Sequence, residues 1–376
     1  MRLADVSSGL TVLLGDSVVG TLARNADGFV LFQYDPIWVA RGFSINPYSL
    51  PLSNEVFVPE WEPFGGLFGV FHDSLPDGWG ALLLDRMLRR EGMDPSRVDN
   101  LTRLAIVGSN GRGALRYEPH ADFELEAPDA SLDDLARWCQ DILEDRSIDD
   151  LDAAYVDGGS SGGARPKAYV EDNQGVSWLV KFPSSMDPKD IGQLEYDYAL
   201  TAASCGIQMP EARLFPSRLC KGYFGTRRFD IGDTGERIHM VSASGIVEVS
   251  HRVPALDYES LFQISSYLGG EQKEARRLFC LMCFNVFAHN QDDHSNNFAW
   301  LCENGVWRLS PAYDLTYSSG LGHMHATSVL GNPNPGMAEV LALAREAGLP
   351  SAWAKRTAAS IRHTCSELLR RHGLAE

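Results

Sequence analysis

The segment from His289 to Asn297, which reads HNQDDHSNN, is the densest run of side chains able to do chemistry. Asp292 and Asn297 lie five positions apart, which is the spacing of the Asp and Asn in protein-kinase catalytic loops. There the carboxylate accepts the proton of a substrate hydroxyl, and the amide oxygen binds Mg²⁺. Magnesium prefers hard oxygen ligands and keeps several waters, so one more carboxylate and the nucleotide phosphates would complete its coordination. We expect that carboxylate to be Asp314 in SPAYD, which follows a predicted hairpin.

A cation for the α- and β-phosphates is expected upstream of this segment. Lys181 lies near the end of VSWLVKF, whose alternation of apolar residues predicts a strand. Glu195 lies in QLEYDYA, within the helix predicted to follow, where its carboxylate could pair with the lysine. A lysine at a strand end is often a surface residue with its ammonium in water. The order in which these two residues precede the loop favours the phosphate-binding interpretation.

The stretch DGGSSGGARPK, residues 157–167, is too rich in glycine for a helix or a central strand. It lacks the Walker A pattern, yet its backbone N–H groups could cover phosphates, with Gly162 and Gly163 as nucleotide-binding residues. Arg165 and Lys167 beside the glycines favour anion binding over a flexible linker. A second glycine stretch, GSNGRGAL, is more typical of a tight turn into a strand than of a phosphate loop.

A metal hydrolase is the competing interpretation of HNQDDH, because imidazole and carboxylate ligands suit zinc or manganese. The candidate ligands are His289, Asp292, Asp293 and His294. That interpretation gives no role to Lys181 or Asp314. In the kinase interpretation, His294 supports the loop by hydrogen bonding.

Three regions are predicted along the chain. Residues 1–120 alternate short apolar runs with turns before a helix that begins near SLPDGWGALLLDR, with Ser74 or Asp77 as its N-cap. Residues 121–230 contain an amphipathic helix, the glycine-rich stretch, a hairpin, a second helix and further strands. Residues 231–376 are mainly helical. The predicted fold class is therefore α+β.

The chain has 376 residues, a net charge of −17 and 44% hydrophobic residues. A protein this acidic should not bind nucleic acid by itself, because neutralising phosphates requires clustered Lys and Arg. We find no apolar stretch as long as a membrane span and no signal peptide, so we expect a cytoplasmic protein. The seven scattered cysteines are an odd number and are typical of reduced thiols.

Together these motifs resemble the HipA family of serine/threonine kinase toxins from bacterial type II toxin–antitoxin systems. The matching segments occur in family order and span nearly the whole chain: FHDSLPDGWGALLLDR, GGSSGGARPKA, WLVKFP, GIQMPEARLF, TRRFD, FNVFAHNQDDHSNNFAWL and LSPAYDLTYS. The last two, at this separation, are the most specific. The resemblance implies an α+β HipA fold, in which a β-rich N-terminal subdomain precedes a two-lobed kinase with a mainly helical C-terminal lobe.

The resemblance also implies roles for individual residues, with ATP and Mg²⁺ as cofactors. Asp292 would be the catalytic base, and Lys181 would bind phosphates under the glycine-rich loop. Asn297 and Asp314 would be the magnesium ligands.

Two further segments receive roles from the same resemblance. TRRFD would be the hinge between the lobes, with Arg228 and Phe229 near the adenine. Kinases of this family inactivate themselves by phosphorylating a serine in the glycine-rich loop. By position that serine is Ser160, and the adjacent Ser161 is the alternative.

The resemblance finally implies partners. Family substrates are proteins and include aminoacyl-tRNA synthetases, and the usual partner is a small helix-turn-helix antitoxin of the HipB type. DNA would be bound only through that antitoxin, and a basic antitoxin would meet an acidic chain favourably. Two other classes stay open, namely a small-molecule kinase like the aminoglycoside phosphotransferases and a catalytically silent subunit that only binds an antitoxin.

Overall fold

The computed structural model describes residues 3–121, 130–146, 151, 154, 158 and 163–374. The chain forms two compact units. Unit 1 comprises Met1–Gly192, Leu214–Val241 and Gly245–Glu248, and unit 2 comprises Gln193–Arg213, Ser242–Ser244 and Val249–Glu376. The division at residues 120 and 230 that we predicted from the sequence stays a prediction.

A five-stranded antiparallel sheet forms the start of unit 1. Its strands are β1 (Leu10–Leu14), β2 (Ser17–Arg24), β3 (Val30–Tyr34), β4 (Val56–Phe57) and β5 (Leu115–Glu118). They lie in the order β4-β3-β2-β1-β5. Alternate side chains such as Leu10 and Val12 are buried, because successive residues of a strand point to opposite faces. The helices that accompany this sheet are α1 (Pro36–Arg41), α2 (Gly69–His72), α3 (Gly78–Arg90) and α4 (Asn100–Val107).

The predicted hairpin after the glycine-rich stretch is confirmed. It belongs to a second sheet made of β6 (Lys167–Glu171), β7 (Ser177–Lys181), β8 (Ala212–Phe215) and β9 (Tyr223–Arg227), in the order β6-β7-β9-β8. β6 and β7 are antiparallel, and Lys167 lies directly opposite Lys181. The register therefore places both lysine side chains on the same face of the sheet.

One hydrophobic core holds the second sheet against two helices. Trp178 and Val180 of β7 are completely buried in it. The predicted amphipathic helix is present as α5 (Leu132–Leu143), with Ser131 as its N-cap in a capping box. The helical residues in this core are Trp79, Leu83 and Met87 of α3 and Leu135, Cys139 and Ile142 of α5. Helix α3, which lies in the first predicted region, therefore packs in the core of the second sheet.

The helix predicted after the hairpin is present as α6 (Ile191–Ser204). The chain after residue 231 is mainly helical, as predicted, and its helices are α7 (Ala243–Val247), α8 (Tyr258–Tyr267), α9 (Gln272–Phe287), α10 (Met337–Glu346) and α11 (Ser351–Arg371). Its strands are β10 (His239–Ser242), β11 (Leu256–Asp257), β12 (Ala299–Glu303), β13 (Val306–Leu309) and β14 (Thr327–Ser328). Helix α9 packs against α8, α10 and α11, so it is central to unit 2. No helix in the described parts of the chain is both long and apolar enough to cross a membrane.

The hairpin formed by β12 and β13 confirms the predicted turn between the two candidate magnesium ligands. Asn304 and Gly305 both have positive φ angles, of 51° and 81°. A two-residue turn of this kind matches the twist of the flanking strands and favours Asn followed by Gly. The turn reverses the chain between Asn297 and Asp314.

Candidate active site

The loop that follows α9 carries Asp292 and is closed by a short 3₁₀ helix, Ser295–Asn297. The Asp292 residue is exposed. The side-chain Nδ2 of Asn297 donates a hydrogen bond of 2.8 Å to the backbone oxygen of Asp292. The two residues predicted from their spacing therefore lie next to each other.

The same hydrogen bond bears on magnesium binding by Asn297. Because Nδ2 donates its hydrogen bond to Asp292, Oδ1 is the amide atom that can face a cation. An amide oxygen is a suitable hard ligand for Mg²⁺. The orientation of this side chain fits the predicted role.

Asp293, the neighbour of the predicted base, is completely buried and anchors the loop. Its carboxylate accepts hydrogen bonds from the Tyr258 hydroxyl at 3.0 Å and from the Thr327 backbone N–H at 3.1 Å. The Nδ1 atom of His325 lies 3.0 Å from the same carboxylate. Burial, followed by the negative charge of Asp293, raises the pKa of Tyr258 well above its usual range, so the hydroxyl stays protonated and donates.

Our kinase interpretation of the sequence assigned no role to Asp293. Two adjacent aspartates look alike in a sequence, whereas the loop turns one to solvent and the other into the interior. An alternation of exposed and buried side chains could have separated the two aspartates. Two residues are too few to establish such an alternation.

A chain of buried amides extends this anchor into helix α9. The Asn285 side chain donates to the Tyr258 hydroxyl at 2.9 Å. Asn290, which lies in the loop, donates to Oδ1 of Asn285 at 3.0 Å. These buried hydrogen bonds restrain the loop, because separating Asn290, Asn285 and Tyr258 would break both of them in a poorly solvated interior. The loop is therefore fixed from both sides of Asp292.

The segment that carries Asp314 lies beside this loop within unit 2. The Tyr313 hydroxyl donates to the backbone oxygen of Asn296 at 2.6 Å, and the Ser318 N–H donates to the His289 oxygen at 3.0 Å. Asp314 has a φ angle of 54°, in the left-handed region that residues other than glycine rarely adopt. Such conformations cluster at functional sites, where neighbouring structure imposes them.

The histidines of HNQDDH do not form a metal site with its aspartates in the described residues. The His294 ring packs 5.4 Å from the His251 ring, and its buried Nδ1 has no hydrogen-bond partner among the described residues. Across residues 3–121, 130–146 and 163–374, no three His, Cys, Asp or Glu side chains are grouped to hold a metal ion. His294 therefore supports the loop by ring packing, and its predicted hydrogen-bonding role stays a prediction.

The predicted phosphate-binding lysine lies in unit 1, on β7. The Nζ of Lys181 lies 5.7 Å from the centroid of the Phe224 ring. Its cross-strand neighbour Lys167 is only 4% exposed. Glu195 is buried on α6, and its pairing with Lys181 stays a prediction.

The glycine-rich stretch is described only in part. Gly163 has a φ angle of 86°, which favours glycine. Ser160, Ser161 and Gly162, to which we assigned modification and nucleotide binding, lie outside the described residues.

The second glycine stretch, residues 108–113, presents carbonyl groups to a guanidinium. Arg237 donates to the backbone oxygens of Gly113 at 2.7 Å and Ser109 at 3.0 Å, and also to that of Gly111. A phosphate would require N–H groups at these positions. The stretch is thus the turn that its composition favoured.

Arg228 of the predicted hinge is bound to a neighbouring carboxylate. It donates to Asp230 at 2.6 and 3.0 Å, and its guanidinium lies 4.3 Å from the centroid of the Tyr169 ring. Burial alone would raise the pKa of Asp230, but the charge and hydrogen bonds of Arg228, together with the charge of Arg237 and the Gly113 N–H, hold that pKa below its usual range. Phe229 is partly buried. Contact of Arg228 and Phe229 with an adenine stays a prediction.

Comparisons with known proteins cover nearly the whole chain. Residues 10–118 match the family model of the HipA N-terminal domain, and residues 159–369 match that of the HipA-like C-terminal domain. A solved structure of the Shewanella oneidensis MR-1 toxin–antitoxin system, HipA with HipB and operator DNA, matches with a TM-score of 0.69 at 18% identity. That match covers 96% of this chain and 90% of the other. The Helicobacter pylori proinflammatory kinase CtkA matches with a TM-score of 0.31 at 17% identity, over 41% of this chain and 54% of the other.

Proposed function

Because the chain belongs to the HipA family, we propose that it is an ATP- and Mg²⁺-dependent protein serine/threonine kinase. The anchored loop of unit 2 carries the proposal, since it holds Asp292 at the surface with Asn297 bonded to its backbone. The adjoining segment supplies Asp314. A proton acceptor, an amide oxygen and a second carboxylate on neighbouring segments are the groups that phosphoryl transfer requires.

The roles of these residues follow from the chemistry of the transfer. Asp292 orients a Ser or Thr hydroxyl and accepts its proton as the hydroxyl oxygen bonds to the γ-phosphorus. The bond from that phosphorus to the bridging oxygen breaks, and ADP leaves with the electron pair. Asn297 and Asp314 would hold a magnesium ion, which would neutralise charge on the phosphates. Positioning and charge stabilisation, rather than covalent catalysis, lower the barrier.

The two opposed lysines of unit 1 support a phosphate-binding role. Lys167 and Lys181 lie directly opposite each other on β6 and β7, so the register places both side chains on one face of the sheet. Two cationic side chains on one face favour an anion of high charge, such as the phosphates of a nucleotide.

The remaining parts of the proposal concern the partner and the control of activity. The matched Shewanella structure contains HipA with HipB and operator DNA, and we propose a HipB-like antitoxin as the partner of this chain. A net charge of −17 suits a basic partner of that kind. We further propose Ser160 as the site of self-inactivation, with Ser161 as the alternative. The substrate is a protein of translation, of the class of aminoacyl-tRNA synthetases.

Mass spectrometry of the purified chain after incubation with Mg²⁺-ATP tests the proposal. We expect one phosphate in the peptide that contains Ser160 and Ser161, and none in Asp292→Asn. Ser160→Ala and Ser161→Ala identify the modified residue. A phosphate that persists in Asp292→Asn would remove this residue as the base. A chain that neither binds ATP nor transfers phosphate would contradict kinase function, and transfer to a sugar or drug with no labelled protein would indicate a small-molecule kinase.

A further inference from the structure

The residue before helix α3 (Gly78–Arg90) is bonded to the end of the glycine-rich stretch. The backbone of Asp77 has the extended conformation of an N-cap, but its side chain makes no hydrogen bond to its own helix. Its Oδ1 instead accepts the backbone N–H of Gly163. The Trp79 N–H donates to the backbone oxygen of Gly163 at 2.9 Å. Gly163 is therefore held through both its N–H and its C=O.

The contact is close enough to require glycine on both sides. A Cβ atom on Gly78 would lie 2.4 Å from the Gly163 oxygen and 2.5 Å from its carbonyl carbon. A Cβ atom on Gly163 would lie 2.7 Å from Nζ of Lys167. Both glycines also have positive φ angles, 46° and 86°. Gly163 is thus fixed between α3 and the buried lysine of β6.

Helix α3 provides a rigid base for this contact. Trp79 is 1% exposed, and Leu83 and Met87 on the following turns are completely buried. They pack in one core with Trp178 and Val180 of β7, the strand that carries Lys181. The contact and the predicted phosphate-binding lysine therefore share one rigid body.

We propose that Asp77 and Gly78 are positioning residues of the nucleotide-binding loop, so that the N-terminal domain takes part in binding ATP. This inference rests on the proposed kinase function. A loop whose end is fixed before the nucleotide arrives loses less conformational entropy on binding. Removing the contact should therefore weaken nucleotide affinity and leave the chemistry of Asp292 in unit 2 largely unchanged.

The test uses the full chain and four variants. Affinity for a non-hydrolysable ATP analogue with Mg²⁺ is measured by calorimetry, and KM for ATP and kcat by initial rates. In Asp77→Ala we expect affinity to fall and KM to rise by about ten- to a hundred-fold, the value of a hydrogen bond to a charged group, with kcat within about three-fold. Asp77→Asn should recover most of the affinity, because its Oδ1 can still accept the Gly163 N–H.

Asp99 offers a matched control in the same domain. It also precedes a helix, but its Oδ1 accepts the N–H of Thr102 in that helix. Asp99→Ala should lower stability without changing nucleotide affinity, since it removes a helix cap and an ion pair with Arg24, neither of which involves the glycine-rich stretch. Hydrogen exchange in the peptide that contains Gly163 should be faster in Asp77→Ala and unchanged in Asp99→Ala.

Gly78→Ala keeps the Asp77 carboxylate and tests the contact independently. Its Cβ atom must displace Gly163, so we expect a loss of affinity as large as that of Asp77→Ala. Wild-type affinity in Gly78→Ala or Asp77→Ala would overturn the inference while kinase function stands. A wild-type chain that binds no nucleotide would overturn both. If Asp77→Ala fails to fold, the comparison of Asp77→Asn with Gly78→Ala decides the question.

Discussion

The loop that carries Asp292 and the glycine-rich stretch that ends at Gly163 are held in place by different means. Buried side chains anchor the first, through Asp293 and the amides that reach helix α9. Backbone groups and one carboxylate from another helix hold the second. A residue that takes a proton must be presented in one direction, and the buried anchors do this by fixing the loop on both sides of Asp292. A segment that covers phosphates through N–H groups needs only its backbone fixed, so glycine suffices there.

The two adjacent aspartates of the first loop separate chemistry from anchoring, and Asp292→Asn should have the largest effect. We expect phosphoryl transfer to fall by about 10²–10⁴-fold, the usual contribution of a positioned proton acceptor. The free energy of unfolding should stay unchanged because Asp292 is exposed. Initial rates and urea denaturation measure the two quantities. Normal turnover would mean that another group takes the proton.

Asp293→Asn should show the opposite pattern, with stability as the main loss. The amide cannot accept from Tyr258, His325 and Thr327 together, since one of its two ends is a donor. We expect the free energy of unfolding to fall by about 2–4 kcal/mol, measured by urea denaturation. Asp292→Asn serves as the matched control. Equal stability of the two variants would show that the loop is anchored elsewhere.

Tyr258→Phe sharpens the comparison by removing one hydroxyl from the buried chain. Asp293 and Asn285 each lose a partner, so we expect a loss of about 1–3 kcal/mol in the free energy of unfolding. Tyr267→Phe on the same helix is the control, because Tyr267 is 59% exposed. Thermal denaturation of both variants measures the difference. If Tyr258→Phe lowers the free energy of unfolding no more than Tyr267→Phe does, water replaces the missing hydroxyl.

Glu248 of unit 1 offers a buried carboxyl with fewer partners than Asp293. Its Oε2 accepts the Gly69 N–H at 2.8 Å, and the Ser49 side chain is its other hydrogen-bonding neighbour. Burial is the main cause that raises the pKa of Glu248 to about 7. The folded state therefore binds a proton that the unfolded chain releases near pH 4.5. The contribution of Glu248 to the free energy of unfolding is fully present below pH 4.5 and is lost as the pH rises through about 7.

Glu248→Gln tests this pH dependence, since the amide is neutral at every pH. We expect the variant to match the wild type near pH 4.5 and to be more stable above pH 7. Melting temperatures from pH 4.5 to 8.5 measure it, with Glu60→Gln at an exposed position as control. A constant difference across this range would assign the effect to packing instead of protonation.

Local patterns predicted the elements well and their long-range bonds poorly. The spacing of Asp292 and Asn297, the turn of the predicted hairpin at Asn304–Gly305 and the amphipathic pattern of α5 each depend on neighbours in the chain. Asp77 was a sound N-cap by local rules, yet its side chain bonds to Gly163, 86 positions later. A sequence shows what a carboxylate can accept and not which N–H reaches it. The role of Asp293 was missed for the same reason.

The shared core of α3 and β7 has a consequence for the inheritance of this protein. Trp79 and Leu83 belong to the segment that matches the HipA N-terminal domain, whereas Trp178 and Val180 belong to the segment that matches the C-terminal one. Neither segment can complete this core without the other. Exchange of one segment between relatives by recombination would therefore pair surfaces that never evolved together. Selection should keep the two coding regions in one reading frame.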